Sequence, residues 1–231
     1  MDFSRRADIK ELLDEPGIPA QDIYRNMYEL AVINSRLGGH SVTWSGFKQL
    51  AETNTELHVC EVGCGGGDNM KSIENRAEGR YRPIHFTGID YNGDCIHIAQ
   101  QLKWNSRTEF VTSDYKQVTF PHKPDIIFSS LFCHHFKEAE LVGMFRWMYS
   151  NSRLGFFIND LHRHSMAYRS IRVLTKLFSR SYLVKNDAPL SVLRGFKKIE
   201  LQQLLKQAGI THYTLRWKWA FRWLIVAKHE Q

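Results

Sequence analysis

The chain has 231 residues, 43% hydrophobic and 24% charged, a composition typical of a folded globular protein with one sizeable core. No run reaches the roughly 20 apolar residues that span a bilayer, and residues 1–10 are charged without a signal-peptide core, so a cytoplasmic location is predicted. The net charge of +7 is uneven, because residues 151–231 carry 15 Lys and Arg against 4 Asp and Glu. Such a basic half can mark a nucleic-acid or membrane face, but a solvated surface is the favoured interpretation.

Residues 1–52 are predicted to form an N-terminal helical cap. The predicted helices are Asp8–Leu13, Asp22–Leu37 and Thr43–Ala51. Asp22 is a plausible N-cap of the second helix, and Gly38 with Gly39 ends it. One face of this helix is apolar at helical spacing, formed by Tyr24, Met27, Tyr28 and Ala31.

Strands and helices then alternate through residues 57–160. The predicted strands are His58–Gly63, His85–Asp90, Glu109–Asp114, Asp125–Ser130 and Leu154–Asn159. The predicted helices between them are Asn69–Glu78, Asp94–Lys103 and Glu138–Ser150. Repeated βα units imply a parallel sheet with right-handed crossovers and helices on both faces, which is an α/β fold.

The alternation stops at residues 161–197, which are predicted to be a helical insertion. Ser165–Leu183 carries apolar residues at helical spacing with arginines between them, a pattern that favours a lid over an apolar ligand. Residues 198–229 predict a last helix, Glu200–Ala208, and two strands, Ile210–Trp217 and Trp223–Ala227, close enough to pair antiparallel. The prediction is one domain, 1–231, with a Rossmann-like, seven-stranded, mostly parallel sheet and an antiparallel C-terminal hairpin.

A glycine-rich segment, EVGCGGG at 61–67, separates the first predicted strand from a helix. Gly63, Gly65 and Gly67 suit a tight turn in which a ligand meets backbone N–H groups at a helix N-terminus. A dinucleotide site requires G-x-G-x-x-G, whereas the sixth position here is Asp68. Acids such as Glu61 repel a pyrophosphate and favour a ligand with an ammonium and a sulfonium group.

Acidic residues also end the next two predicted strands. Asp90 lies 23 residues after Gly67, close to the spacing at which a carboxylate accepts hydrogen bonds from ribose hydroxyls. Asp114, between Ser113 and Tyr115, can accept a hydrogen bond from an adenine amino group, and Tyr91 can pack on the adenine face. Each Asp alone could be a helix cap, but three such signals at successive strand ends favour one nucleoside site.

The chain resembles the class I S-adenosylmethionine-dependent methyltransferases. The matching stretches are VCEVGCGGG at 59–67, FTGIDY at 86–91, EFVTSDY at 109–115 and PDIIFSS at 124–130. The resemblance implies S-adenosylmethionine as cofactor and S-adenosylhomocysteine as product, with 57–160 as the cofactor-binding core and Ser129 and Leu131 beside the cofactor.

A narrower resemblance is to bacterial enzymes similar to the methyltransferases of quinone biosynthesis. It rests on YELAVINSRLGGH at 28–40, LFCHHF at 131–136, NDLHR at 159–163 and APLSVLRGF at 188–196. It implies an aromatic, phenolic or polyketide-like acceptor and does not fix the acceptor atom.

His134 and His135 are the predicted catalytic bases, because they follow the fourth strand and histidine titrates near neutral pH. The alternative is that one or both only pack or cap the next helix. No metal site is predicted at Cys133-His134-His135, because adjacent side chains are expected to diverge.

The predicted contacts to the acceptor come from several elements. They are His40, Asn159, His162, Arg163 and Arg194. Asp160 and Arg163 could instead pair with each other. In the hairpin, alternate positions are occupied by Leu215, Trp217, Trp219, Phe221 and Trp223. This side is interpreted as facing inward, with solvated basic residues on the opposite side. RNA-stacking surfaces have a similar pattern.

Three functions are compatible with the sequence. The leading one is methylation of a small, partly apolar aromatic hydroxyl compound by a monomer or homodimer, with a peripheral contact to a lipid-like substrate as one variant. The second is an RNA or protein methyltransferase that uses the basic C-terminal half, although no Asn-Pro-Pro-Tyr type motif follows the fourth strand and nucleic acid is not the expected partner. The third is a cofactor-binding module that has lost catalysis.

Overall fold

The structure, a computed structural model, describes residues 2–229. The strands are β1 Leu57–Val62, β2 Ile84–Asp90, β3 Thr108–Thr112, β4 Ile126–Ser130, β5 Gly155–Leu161, β6 Tyr213–Lys218 and β7 Arg222–Lys228. The helices are α1 Ala20–Arg36, α2 Gly39–Leu50, α3 Asp68–Ala77, α4 Gly93–Gln100, α5 Glu138–Asn151, α6 Ser165–Phe178, α7 Tyr182–Arg194 and α8 Lys198–Gln207. The predicted alternation from β1 to β5 is confirmed, with boundaries shifted by one to three residues.

All seven strands form one sheet in the order β3-β2-β1-β4-β5-β7-β6. Strands β1 to β5 pair in parallel, and β7 lies antiparallel between β5 and β6. The predicted Rossmann-like sheet with its terminal hairpin is therefore confirmed. Because β1 sits between β2 and β4, the winding reverses there, and such a switch point opens a crevice at the carboxyl ends of the strands.

The sheet separates two apolar layers. One layer packs α5 and α8 against residues such as Ile127 and Phe156, and the other packs α2, α3 and Ile96 of α4 against Phe86 and Phe128. Each face of the central strands is covered, which explains why β4 is buried throughout. The crevice at the strand ends is therefore held by a rigid scaffold.

Two local predictions near the termini of helices are wrong. Asp8–Leu13 is not a helix, and a single 3-10 turn forms at Leu12–Asp14 instead. Helix α1 begins at Ala20 after Pro19, whose fixed φ suits a helix start, so Asp22 is not its N-cap.

The 161–197 insertion contains two helices, because the chain breaks after α6 and the Ser181 hydroxyl caps α7.

In the hairpin, the side chains that face solvent and those that face the core differ from the prediction. Trp217 on the edge strand β6 and Trp219 in the turn after it are 50% and 65% exposed. Arg222 is buried, and its guanidinium donates to the Asn34 side chain at 3.0 Å. The reason is that β7 lies inside the sheet and is covered on both faces, which parity along the sequence does not reveal.

Candidate functional site

A cavity of about 1500 Å³ opens at the carboxyl ends of β1 to β4. Helices α1, α6 and α7 form its other walls, with side chains including Met27, Ile171 and Val184. Single-ligand pockets commonly measure about 300–1,000 Å³, so this cavity has room for a nucleoside-sized ligand and a second molecule.

The glycine turn forms one end of the cavity. Gly63 has φ +70°, and a Cβ there would lie 2.2 Å from Cγ of Phe132. Gly67 has φ +79° and precedes α3, where a Cβ would lie 3.2 Å from Cβ of Ala99. Gly63 and Gly65 line the cavity, while Gly67 is buried behind it. Glycine is therefore required by both backbone conformation and packing.

Asp90 lies beside this turn, at the end of β2. Its carboxylate accepts hydrogen bonds from the backbone N–H of Gly65 at 2.8 Å and of Asn92 at 2.9 Å. Burial raises the pKa of Asp90, although both backbone hydrogen bonds oppose that shift. Each carboxylate oxygen keeps a free lone pair, and the side chain lines the cavity, so it can accept hydrogen bonds from a vicinal diol.

The end of β3 supplies the next part of the wall. Ser113, Asp114 and Tyr115 all line the cavity, and Tyr91 stands at its rim with 84% of its surface exposed. Asp114 accepts a hydrogen bond from the backbone N–H of Lys116 at 3.0 Å. Asp114 is thus a turn cap that also lines the cavity, while its contact with an adenine stays a prediction.

Glu61 does not line the cavity, which corrects its predicted position. It is fully buried, and neither carboxylate oxygen has a hydrogen-bond partner among the described residues. Burial, together with the carboxylates of Asp68 and Asp90, raises the pKa of Glu61 well above its usual value. The raised pKa favours the neutral form of Glu61, so the negative charge at this end of the cavity rests on the Asp68 and Asp90 carboxylates, and it suits a cationic ligand.

Asp68 carries that negative charge to the cavity surface. His40, predicted to contact the acceptor, instead places Nε2 at 2.7 Å from an Asp68 carboxylate oxygen, and Asn34 donates to the same oxygen at 3.1 Å. His40 is therefore a positioning residue behind the turn. Asp68 had a signal in the sequence, since it occupies the position at which a dinucleotide-binding motif requires glycine.

We expect Glu61→Gln to stabilise the protein without ligand. In the folded protein the pKa of Glu61 is raised above its unfolded value of about 4.5. Glu61 therefore lowers the free energy of unfolding only above that pH, and it lowers it further as pH rises. At pH 7 the variant should melt about 2–4 °C higher, which is about 1 kcal/mol for a chain of this size. Thermal unfolding at pH 7 and pH 4 tests this, with exposed Glu109→Gln as the control. An unchanged or lower melting temperature at pH 7 contradicts it.

The loop after β4 carries the two predicted bases. Leu131 begins it with φ +54°, a conformation uncommon for a non-glycine residue, and its N–H donates to the Asn159 carbonyl at 2.9 Å. Leu131 lines the cavity, whereas Ser129 is buried in β4 and does not. The bend directs Cys133–His135, a 3-10 turn, towards the cavity.

His134 does not behave as a free base. It is buried, its Nδ1 lies 2.8 Å from Asp160 Oδ1, and its Nε2 lies 3.5 Å from Glu11 Oε1. Burial opposes the charged imidazole, but the two carboxylates outweigh it and raise the pKa of His134 to about 9. At neutral pH a proton therefore stays on this ring, which makes His134 a poor proton acceptor.

His135 is the accessible member of the pair, and its side chain keeps 19% exposure in the cavity wall. Its Nδ1 lies 3.3 Å from an Asp14 carboxylate oxygen, and its Nε2 lies 3.7 Å from Glu11 Oε2. Glu11 and Asp14 were missed from the sequence, because the N-terminal segment has no motif and lies more than 120 residues away. Only the tertiary fold brings them to the histidine loop.

Besides His40, two more predicted acceptor contacts are structural instead. Arg163 is 1% exposed and pairs with Glu200, not with Asp160, while its guanidinium also donates to backbone carbonyls. The Asn159 amide donates inside the core, to Gly39, Thr43 and Ser130. Both side chains are buried away from the cavity, so neither is available to an acceptor.

The two remaining predicted contacts lie nearer the cavity. Arg194 reaches its wall, but its guanidinium donates to the backbone carbonyls of Ile9, His134 and His135 at 2.7–3.2 Å. It therefore ties the N-terminal segment to the histidine loop. His162 sits behind the hairpin, where it accepts a hydrogen bond from Trp217 Nε1 at 3.3 Å, and burial lowers its pKa.

The sheet order, the glycine turn after β1 and the acid after β2 agree with the Rossmann-like fold that the resemblance to the class I methyltransferases implies. Residues 59–155 match the family model described as a methyltransferase domain. No curated protein sequence matches the chain significantly. None of the helices within residues 2–229 is long and apolar enough to cross a membrane.

Several solved structures share this fold. The plantazolicin methyltransferase BpumL in complex with SAH has a TM-score of 0.64 and 17% identity over 91% of this chain and 94% of that one. Magnesium protoporphyrin IX methyltransferase from Synechocystis, with bound SAM, has a TM-score of 0.59 and 14% identity over 94% and 100%. Human N-acetylserotonin methyltransferase with SAM has a TM-score of 0.63 and 16% identity over 92% and 57%. At these identities the likeness concerns the fold.

Proposed function

We propose that this protein is an S-adenosylmethionine-dependent methyltransferase acting on a hydroxyl group of a small, partly hydrophobic aromatic compound. The main observation behind this proposal is that Asp68 and Asp90, beside the glycine turn, line the same cavity as His135. The methyltransferase domain match at 59–155 and the solved SAM and SAH complexes of the same fold support this assignment.

The residues of the cleft fit such a cofactor. When bound, S-adenosylmethionine supplies an electrophilic methyl carbon on a sulfonium, and the C–S bond breaks as the acceptor oxygen forms the new O–C bond. Asp90 accepts hydrogen bonds from the ribose, Asp114 binds the adenine, and Asp68 attracts the ammonium group.

The acceptor lies in the remaining part of the cavity. Its apolar body packs against side chains of α1, α6 and α7, and its hydroxyl points to His135. A phenol has a pKa near 10, so His135 aids transfer by taking the hydroxyl proton. The walls hold the hydroxyl in line with the transferred methyl and exclude water. The predicted lid thus becomes a proposed acceptor wall, built from both helices of the insertion.

Heat stabilisation by S-adenosylhomocysteine tests this proposal at its root. At 100 times the dissociation constant, a ligand that binds only the folded state stabilises it by about 2.7 kcal/mol. The melting temperature should rise by about 5–10 °C for a chain of this size. NAD and ATP are the controls, because their phosphates are repelled by the Asp68 and Asp90 carboxylates at the cavity surface. No shift with S-adenosylhomocysteine contradicts the proposal.

The acceptor itself can be found by incubating extracts with the enzyme and a labelled methyl donor, followed by mass spectrometry. Labelling of small apolar phenols supports the proposal. Labelling of RNA, with salt-sensitive association, supports the alternative based on the basic C-terminal half. Two arginines of that half, Arg163 and Arg222, are buried in structural contacts, which weakens that alternative. The quinone-like subgroup and the cytoplasmic location stay predictions.

A further inference from the structure

Three side chains from distant parts of the chain converge on one point of the cavity wall. Glu11, His134 and His135 each present a ligand atom, and these atoms lie within 4.8 Å of one another. The sequence predicts that adjacent histidines diverge, but the 3-10 turn brings the two ring centroids to 4.5 Å. Glu11 then faces Nε2 of both rings.

The separations within this cluster suit coordination better than direct hydrogen bonding. Nε2 of His134 and of His135 lie 3.5 and 3.7 Å from the two Glu11 oxygens, beyond ordinary hydrogen-bond lengths. Ligands about 2.1 Å from a metal ion are separated by roughly 3.0–3.4 Å in octahedral or tetrahedral geometry. A small inward adjustment therefore converts the three residues into a metal-binding triad.

The surroundings of the triad match those of histidine metal ligands. A ligating imidazole usually donates its other N–H to a carboxylate, which fixes the ring. Here Asp160 lies 2.8 Å from Nδ1 of His134, and Asp14 lies 3.3 Å from Nδ1 of His135. The Ser191 hydroxyl donates to Glu11 at 2.8 Å. Each of the three ligands is therefore oriented by its own polar partner.

Nearby arginines leave the metal-facing atoms free. Arg6 and Arg194 donate to backbone carbonyls of His134, His135 and Phe136, so their hydrogen bonds hold the turn and do not use either Nε2. All three triad residues border the cavity, which leaves further coordination positions open to a ligand there.

We propose that Glu11, His134 and His135 bind one divalent transition-metal cation, such as Zn²⁺ or Co²⁺, in the acceptor wall of the cavity. Two imidazoles and one carboxylate form a donor set that suits first-row cations better than Mg²⁺ or Ca²⁺.

This inference rests on the proposed function and refines it. With the cation bound, Nε2 of His135 is a ligand and no longer takes a proton. The acceptor hydroxyl instead binds an open metal position, releases its proton to solvent, and keeps the oxygen lone pair that forms the new O–C bond. The cation lowers the pKa of the hydroxyl as it lowers that of bound water.

Titration of the full-length, chelator-treated protein with Co²⁺ tests the site directly, because Co²⁺ absorbs visibly when imidazole nitrogens bind it. We expect one Co²⁺ per chain and a rise in melting temperature. Glu11→Gln and His135→Ala should weaken the apparent affinity at least tenfold. Glu15→Gln and His97→Ala are the matched controls, since both are exposed residues outside the triad, and should bind as the parent does.

Parallel titrations with S-adenosylhomocysteine keep the outcomes distinct. Unchanged S-adenosylhomocysteine affinity in Glu11→Gln shows that the variant is folded and attributes its loss of Co²⁺ to the triad. The metal site is overturned by a protein that binds no stoichiometric Co²⁺, or by equal Co²⁺ affinity in parent and triad variants. In either case S-adenosylhomocysteine binding leaves the proposed function standing.

Discussion

Asp90→Ala should raise the dissociation constant for S-adenosylhomocysteine by roughly 5–150-fold, corresponding to about 1–3 kcal/mol for lost charged hydrogen bonds. The carboxylate lines the cavity and is fixed by the backbone N–H groups of Gly65 and Asn92. The variant removes the acceptor for the ribose hydroxyls and also loosens the glycine turn, so both effects act in the same direction. Isothermal titration measures the result.

Two further variants separate these contributions. Asp90→Asn keeps one oxygen for the turn but removes the charge, so its affinity should lie between those of the parent and Asp90→Ala. Glu109→Ala removes an exposed acid on β3 and should bind as the parent does. A dissociation constant unchanged in Asp90→Ala would exclude Asp90 as the ribose contact.

His135→Ala should reduce turnover by about 10²–10⁴-fold, the usual contribution of a positioned group that assists proton removal. Affinity for S-adenosylhomocysteine should stay within twofold, because His135 lies at the acceptor end and the cleft around Asp90 is untouched. The loss is expected whether the imidazole takes the proton or holds a metal ion. Steady-state rates across pH, with the purified acceptor, provide the measurement.

His97→Ala is the matched control for this prediction, since His97 lies exposed on α4 and its nearest recorded partner is Gln101. It should retain parent turnover at every pH. His135→Ala rates that match those of the parent throughout the profile would remove His135 from the acceptor site. Partial recovery of His135→Ala by added Zn²⁺ or Co²⁺ would indicate that the metal ion, held by Glu11 and His134, performs the activation.

Local sequence patterns were enough to predict the layered fold and the group of glycines and acids at one end of the cavity. Both depend on local signals, since a glycine turn after an apolar strand and an acid after the next strand fall at the same sheet edge wherever βα units repeat. Gly63, Asp90 and Asp114 line one cavity, as their positions at the strand ends predict, and their contacts with a cofactor stay predictions. The start of α1 and the break in the insertion were not predicted correctly, because Pro19 and Ser181 shift the helix boundaries by a few residues.

Which polar side chains face the cavity could be seen from the folded structure and not from the sequence. Arg163, Asn159 and His40 lie near the strand ends, yet each is turned into the core or onto a neighbouring acid. Glu11 comes from a segment without motif or periodicity and still completes the histidine cluster. These positions could not be predicted because burial and long-range pairing depend on how the helices and strands pack. A sequence pattern shows only how residues repeat along the chain.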